Sequence, residues 1–334
     1  MSAPFSWIRP QPWGIHIVPA DAWIDPARPV DLALVTHGHS DHARGGHGRS
    51  LATPATLSIM ALRYDTHAGA TPVGYGESID LKGGVRATFV PAGHVLGSAQ
   101  ILLEHAGERV VVTGDYKRRA DPTCPPFQVT ACDVFITEAT FGLPVFRHPP
   151  IGEEMDRLLA ARVANPDRCV LVGAYPLGKA QRLIAELRLA GHTEPIFLHG
   201  AMERMCRLYE DHGIDLGPLE PVAGQAKGAL AGQIVVCPPS ALNDRWSRRL
   251  PEPITAMASG WMRIRQRARQ RNVELPLIVS DHADWDELTR TIAEVNPTET
   301  WITHGREQAL LRWCELHQRK ARALAMVGYE DEDD

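Results

Sequence analysis

The sequence predicts an α/β fold in two domains, with its reactive side chains gathered where strands end. Three observations carry this. The chain has 334 residues, enough for two domains or for one domain with a large insertion. Short apolar runs alternate with helix-like stretches, the pattern of an α/β protein. Six of the apolar runs lead into a His, Asp or Glu, and ligand sites in such folds form where rigid strands give way to loops.

Apolar runs suited to buried strands include 32–35, 101–103, 110–112, 134–136, 170–172, 234–236, 277–279 and 301–302. Helical spacing is expected over 151–164, 178–190, 200–211, 286–295 and 306–324. The Pro/Gly-rich stretch 141–152 and the stretch 213–228 have linker composition. The expected organisation is a first domain over 1–141, a second inserted at 142–275, a return to the first over 276–328, and an acidic tail at 329–334. At the strand ends, 32–36 runs into His37, 85–90 leads to His94, and 110–113 leads to Asp115. Further along, 134–137 leads to Glu138, 277–280 to Asp281 and His282, and 301–303 to His304.

Composition narrows the class. A hydrophobic fraction of 44% and a charged fraction of 22% are ordinary for a globular protein with a sizeable core. No run reaches the roughly 18 apolar residues of a membrane span. The start, MSAPFSWIRPQPW, lacks a basic and apolar leader, and the six cysteines include no C-x-x-C pair. These features point to a cytoplasmic protein without a thiolate zinc site. The net charge of −5 is unevenly spread: Glu330 to Asp334 are all acidic, whereas 245–271 is rich in arginine.

The segment T-H-G-H-S-D-H-A, Thr36 to Ala43, carries the chemistry. It packs His37, His39, Asp41 and His42 just behind an apolar strand. Imidazoles at i and i+2 can grip one ion, and the carboxylate and imidazole at i+4 and i+5 can face a second. Such donors suit zinc, manganese or iron, with zinc the default. The plainer alternative is a polar loop whose histidines cap a helix.

H-x-H-x-D-H after a strand resembles the signature of the metallo-β-lactamase superfamily. Asp25, in I-D-P, is similar to that family's first-motif aspartate, which orients ligands. His94 in P-A-G-H-V-L-G-S-A and Asp115 in V-T-G-D-Y-K resemble its third and fourth motifs. Glu138 in T-E-A-T-F-G, His282 in S-D-H-A-D-W and His304 in T-H-G resemble the three extra motifs of the β-CASP nucleases. The phrases W-I-D-P, A-S-G-W-M-R-I-R and V-S-D-H-A-D-W are similar to the bacterial ligase-associated DNA exonuclease group. The resemblance implies a metallo-β-lactamase αββα sandwich with an inserted α/β β-CASP domain and a substrate cleft between them. It implies a DNA exonuclease acting in repair on single strands or ends, with ligase and helicase partners and no membrane. His304 pulls the other way, towards an RNA-processing member. A thioester or lactone hydrolase and a non-catalytic scaffold are the remaining alternatives.

On this basis His37, His39 and His94 hold one divalent ion, Asp41, His42 and His304 a second, and Asp115 bridges them. Zn2+ is expected and Mn2+ is compatible. Two ions roughly 3.5–4 Å apart share a hydroxide and stabilise charge on a phosphoryl oxygen. Asp41, His282 and Glu138 are the expected catalytic groups, His282 as the acid, held by Glu138 or Asp284. Expected nucleic-acid contacts are Lys179 and Arg182 at a helix start, with Trp261, a base-stacking surface or else a core residue, and Arg263 beside it.

Overall fold

The structure, a computed structural model, describes residues 4–64 and 69–324. The chain divides into two compact units, one of residues up to Arg147 and from His282 onward, the other His148–Asp281.

The first unit is built on two sheets. One has six strands in sequence order: Ile8–Gln11, Gly14–Ile17, Ala22–Ile24, Leu32–Leu34, Arg49–Ala52 and Ala70–Pro72. The other has seven, ordered Ala321–Ala323, Glu299–Gly305, Val134–Ala139, Glu108–Val112, Ala99–His105, Arg86–Pro91 and Ser78–Asp80. Strand alternation sorts the side chains into layers. Ile101, Leu103, Val110, Val112, Val134 and Ile136 join Ile15, Ile17, Ile24, Leu34 and Leu51 in the core between the sheets. Their neighbours Leu102, Val111 and Phe135 point the other way, onto Trp285, Leu288, Ile292, Leu310 and Cys314. Those last five belong to the helices Trp285–Val295 and Glu307–Leu316. On the outer face of the first sheet, Ala33, Val35 and Ala52 meet Leu57 and Met60 of the helix Pro54–Tyr64. The result is the four-layer αββα sandwich.

The second unit holds one parallel sheet, ordered Leu219–Pro221, Ile196–Leu198, Ile234–Cys237, Val170–Gly173, Ile254–Ala258 and Leu275–Leu277. Parallel sheets are covered on both faces, so their strands read as unbroken apolar runs. Ile-Val-Val-Cys at 234–237 and Val-Leu-Val-Gly at 170–173 are buried at every position. Helices Ile151–Ala164, Lys179–Leu189 and Gly200–Asp211 belong to this unit.

Several expected elements change. The second unit ends after Asp281 rather than at 275, because Leu275–Leu277 pairs with Ile254–Ala258 inside the parallel sheet. It begins at His148 rather than 142; upstream of it, Phe141 and Phe146 pack ring against ring in the first unit. The expected linker 213–228 contains the strand Leu219–Pro221. The helix expected over 306–324 stops at Leu316; Gln318 is left-handed and Ala321–Ala323 returns as an edge strand. Helices Pro54–Tyr64 and Arg265–Gln270 and the N-terminal strands were not anticipated. The acidic tail lies outside the described residues. Among the described residues no helix is long and apolar enough to cross a membrane.

Candidate metal centre

The histidine loop leaves strand Leu32–Leu34 and is held on every side. Ala43 N donates to His39 O at 2.7 Å, closing a tight turn, and Arg63 Nη1 donates to Gly38 O at 2.7 Å. Glycine at 38 leaves room for the helix side chain beneath, because a Cβ there would lie 2.5 Å from Ile59 Cγ2 and force it to shift. Gly114, before Asp115, has a left-handed φ of 55°, and a Cβ on it would lie 2.6 Å from Thr36 Oγ1. The strand-end loops carrying Asp115 and His37 therefore pack in direct contact.

One carboxylate sets the protonation pattern of two histidines. Asp25 accepts from Thr36 N at 2.8 Å, from Thr36 Oγ1 at 2.6 Å and from His42 Nδ1 at 2.8 Å. Since the Thr36 hydroxyl donates to Asp25, it accepts from His37 Nδ1, 3.1 Å away. Both rings thus carry a proton on Nδ1 and turn Nε2 inward, the arrangement by which outer partners orient metal ligands. Asp25→Ala is expected to weaken metal binding about 10–100-fold, read by competition with a chromogenic chelator. Unchanged affinity would remove Asp25 from this role.

The inward atoms converge on Asp115. Its Oδ2 lies 3.4 Å from His37 Nε2, 3.4 Å from His42 Nε2 and 3.7 Å from His94 Nε2. His39 presents Nδ1, 3.1 Å from His37 Nε2 and 3.0 Å from His94 Nε2. Asp41 Oδ2 stands 3.5 Å from His42 Nε2. Two donor groups result, His37, His39, His94 and Asp115, and Asp41, His42 and Asp115, each with its ligand atoms within 4.8 Å of one another. Ligand atoms around a tetrahedral ion with bonds of about 2.0–2.1 Å stand roughly 3.3 Å apart. The donor separations fit that spacing, and imidazole with carboxylate is a donor set for divalent cations. The cluster can hold metal ions.

Charge agrees with this. Burial, reinforced by His42, His94 and His39, holds His37 well below the ordinary histidine pKa despite the opposing pull of Asp115, so the ring is a neutral ligand. Burial also disfavours charge on His42, but Asp115, Asp41 and Asp25 outweigh it and raise its pKa well above the usual value. Burial pushes the Asp115 carboxyl up, and the neighbouring His42, His282 and His37 more than reverse this, leaving it ionised. The pocket is built to favour positive charge, which a proton on His42 or a metal ion supplies.

His282 stands beside this cluster. Ala283 N donates to Tyr116 O at 2.6 Å, and Asp284 caps the following helix in a reciprocal box with Glu287. His282 Nδ1 lies 3.0 Å from Glu138 Oε2 and 3.2 Å from Oε1, and 4.0 Å from Asp115 Oδ2. Glu138 is fully buried and also accepts from Tyr116 N at 2.8 Å. Asp284 instead accepts from Glu287 N at 3.0 Å and from Arg119 Nη2 at 2.6 Å. Of the two expected partners, Glu138 takes the histidine and Asp284 holds the helix start. Asp115, Glu138 and His282 also form a donor group of their own.

His304 lies near the end of strand Glu299–Gly305, with a left-handed φ of 54°. The parallel register slips there, from Thr137 opposite Ile302 to Ala139 opposite Gly305. Such a bulge re-aims side chains. The ring stacks on His42 with centroids 5.2 Å apart, and burial, then the charge of His42, pushes its pKa down to about 3. It is beside the second donor group without being one of its members.

The expected nucleic-acid contacts belong to the second unit, and three of the four are buried. Lys179 and Arg182 are 4% and 2% exposed, with Asp281 facing Lys179 Nζ at 3.4 Å and Arg182 Nη1 at 3.4 Å. Trp261 is 8% exposed and carries Arg267 over its ring at 3.9 Å. Lys179 and Arg182 are not presented as the open contacts expected of them, Trp261 takes the core position that was its alternative, and Arg263 is exposed. Conversely, sequence reasoning missed Thr36, which relays Asp25 to His37, and Lys117. Lys117 is 1% exposed, donating to His94 O at 3.2 Å and to Asp121 at 2.5 Å. Both sit inside the quoted motifs, so an eye to hydrogen-bonding residues flanking ligands could have found them.

Residues 13–173 match the metallo-beta-lactamase superfamily. A protein of Opitutus terrae named "Probable DNA ligase" is 30% identical over 315 residues, 90% of this chain and 30% of its own length. "Endoribonuclease ysh1" of Aspergillus fumigatus is 30% identical over 222 residues, 53% of this chain and 25% of its own. "Cleavage and polyadenylation specificity factor subunit 3" of Dictyostelium discoideum is 28% identical over 222 residues, 53% and 28% of the two chains. The chain thus spans between 25% and 30% of the length of these curated relatives. A crystal structure of a protein of unknown function from Enterococcus faecalis V583 superposes with a TM-score of 0.56 at 14% identity, over 81% of this chain and 74% of that one, a likeness of fold. The sandwich, the donor cluster along its strand ends and the match over 13–173 agree: this chain carries a domain of the metallo-β-lactamase superfamily.

Proposed function

We propose that the chain is a metal-dependent phosphodiesterase of the β-CASP kind, a DNA exonuclease with two zinc ions, and that His148–Asp281 is its β-CASP insertion. The observation that supports this best is the convergence of His37, His39, His94, Asp41 and His42 on Asp115, with the Glu138–His282 pair alongside. His304, stacked on His42, stands beside the second donor group and would complete the surroundings of an ion held there. Manganese suits the same donors. Bound divalent ions would activate water and stabilise charge on a phosphoryl oxygen. The protein's own part is to keep His37 and His42 in one tautomer through Asp25, and to hold His282 by Nδ1 on Glu138. The proton at His282 Nε2 then goes to the leaving 3′-oxygen.

DNA is favoured because the alignment to the relative named a probable DNA ligase runs over 90% of this chain. RNA is the second possibility, favoured by His304 and by the relatives named endoribonuclease and cleavage factor. A scaffold role fits poorly, because every expected ligand position is filled. Repair in the cytoplasm alongside a ligase and a helicase is the proposed setting. The test is cleavage of matched single-stranded DNA and RNA, labelled at either end, by metal-replete protein. Loss of DNA from one end is expected and would supply the polarity; preference for RNA would overturn the DNA assignment.

A further inference from the structure

The arginines of 245–271 are not scattered over the second unit. Leu242, Trp246 and Leu250 from one segment, and Met262, Ala268 and Val273 from another, pack into one core with Leu171, Phe197, Val235 and Met257 of the parallel sheet. Both segments therefore cover the same face of that sheet. Between 242 and 273 they carry eight arginines against two acids, Asp244 and Glu252, in a chain whose net charge is −5. Arg245, Arg248, Arg249, Arg265, Arg269 and Arg271 are exposed. The helices Ile151–Ala164 and Gly200–Asp211 have no such excess, mixing Glu153, Asp156, Glu203 and Glu210 with Arg157, Arg162, Arg204 and Arg207.

We infer that this arginine-covered face is a docking surface for the phosphate backbone of nucleic acid, separate from the metal centre. Positive charge concentrated along one stretch of a negative protein attracts anionic partners. Guanidinium groups match phosphate oxygens with paired donors. Of the aromatic side chains of this layer, Trp261 is buried, and Trp246 is half-buried and packs T-shaped with His199 at 4.5 Å. The exposed positive groups of the face are guanidiniums, and contacts to phosphate grip backbone irrespective of sequence.

This inference rests on the nucleic-acid reading of the metal centre, and the test separates the two. The triple variant Arg245→Gln, Arg248→Gln and Arg249→Gln is compared with wild type for binding long single-stranded oligothymidine across a salt series. Hydrolysis of bis(p-nitrophenyl) phosphate, a small ester with no polynucleotide backbone to dock, is followed alongside. Binding is expected to weaken about tenfold, with the slope of log K against log salt flattened by about 2 for three lost phosphate contacts. Hydrolysis of the small ester should not change, and the corresponding triple Lys variant should keep most of the binding. Unchanged DNA affinity and slope would overturn the docking surface, as would unchanged DNA affinity with lost binding of polyglutamate, which would indicate an acidic protein partner. If wild type and variant both fail to hydrolyse the ester while DNA binding falls as expected, the docking surface stands and the phosphodiesterase reading fails.

Discussion

Asp115→Ala is expected to abolish phosphodiester hydrolysis and to strip both donor groups of their shared member. No other side chain belongs to both: Asp115 Oδ2 lies within 3.4–3.7 Å of His37, His42 and His94. Removing it takes away the one carboxylate that joins the two groups and the main charge offsetting the burial of His42. A ligand deleted from the edge of a site weakens one ion; a ligand deleted from the middle weakens two. Asp115→Asn should fail nearly as badly, because the amide keeps the shape but loses the charge. Full activity in either variant would contradict a two-metal mechanism.

His282→Ala is expected to leave metal content intact while slowing the chemical step about 10²–10⁴-fold, the usual cost of a lost general acid. The geometry behind this is the buried Glu138, which fixes His282 Nδ1 at 3.0 Å and so aligns the ring. Glu138→Gln should cause a smaller loss, because the ring remains but its tautomer and orientation are no longer imposed. The alternative is concrete. Asp115, Glu138 and His282 are close enough to be ligands themselves. A fall in metal content in His282→Ala would make His282 a ligand rather than an acid.

How far the sequence foretells these features depends on whether the signal is local. Helices Ile151–Ala164 and Gly200–Asp211 fall on their expected bounds because their apolar spacing is self-contained. Pro54–Tyr64 escapes notice because it buries Ala55, Thr56, Leu57, Ile59 and Met60, leaving little polar contrast, although Thr53 before Pro54 is a start signal. Strand Ile8–Gln11 is masked by Pro10, tolerated there because the strand is an edge. The donor loop is legible because four ligands sit in one short segment. The relay from Asp25 through Thr36 to His37 joins strand ends and is invisible in a linear pattern. The burial of Arg182 and Trp261 is a tertiary outcome too: the same spacing would read alike whether those side chains faced Asp281 and Arg267 or a substrate.

The most direct test of the proposed two-metal centre is the metal content of the protein, counted per chain by elemental analysis after equilibration with zinc and removal of free ion. Two equivalents in wild type, with most of both lost in Asp115→Ala, is the predicted result. A single equivalent that survives Asp115→Ala would contradict it, and with it the assignment of Asp115 as the shared ligand.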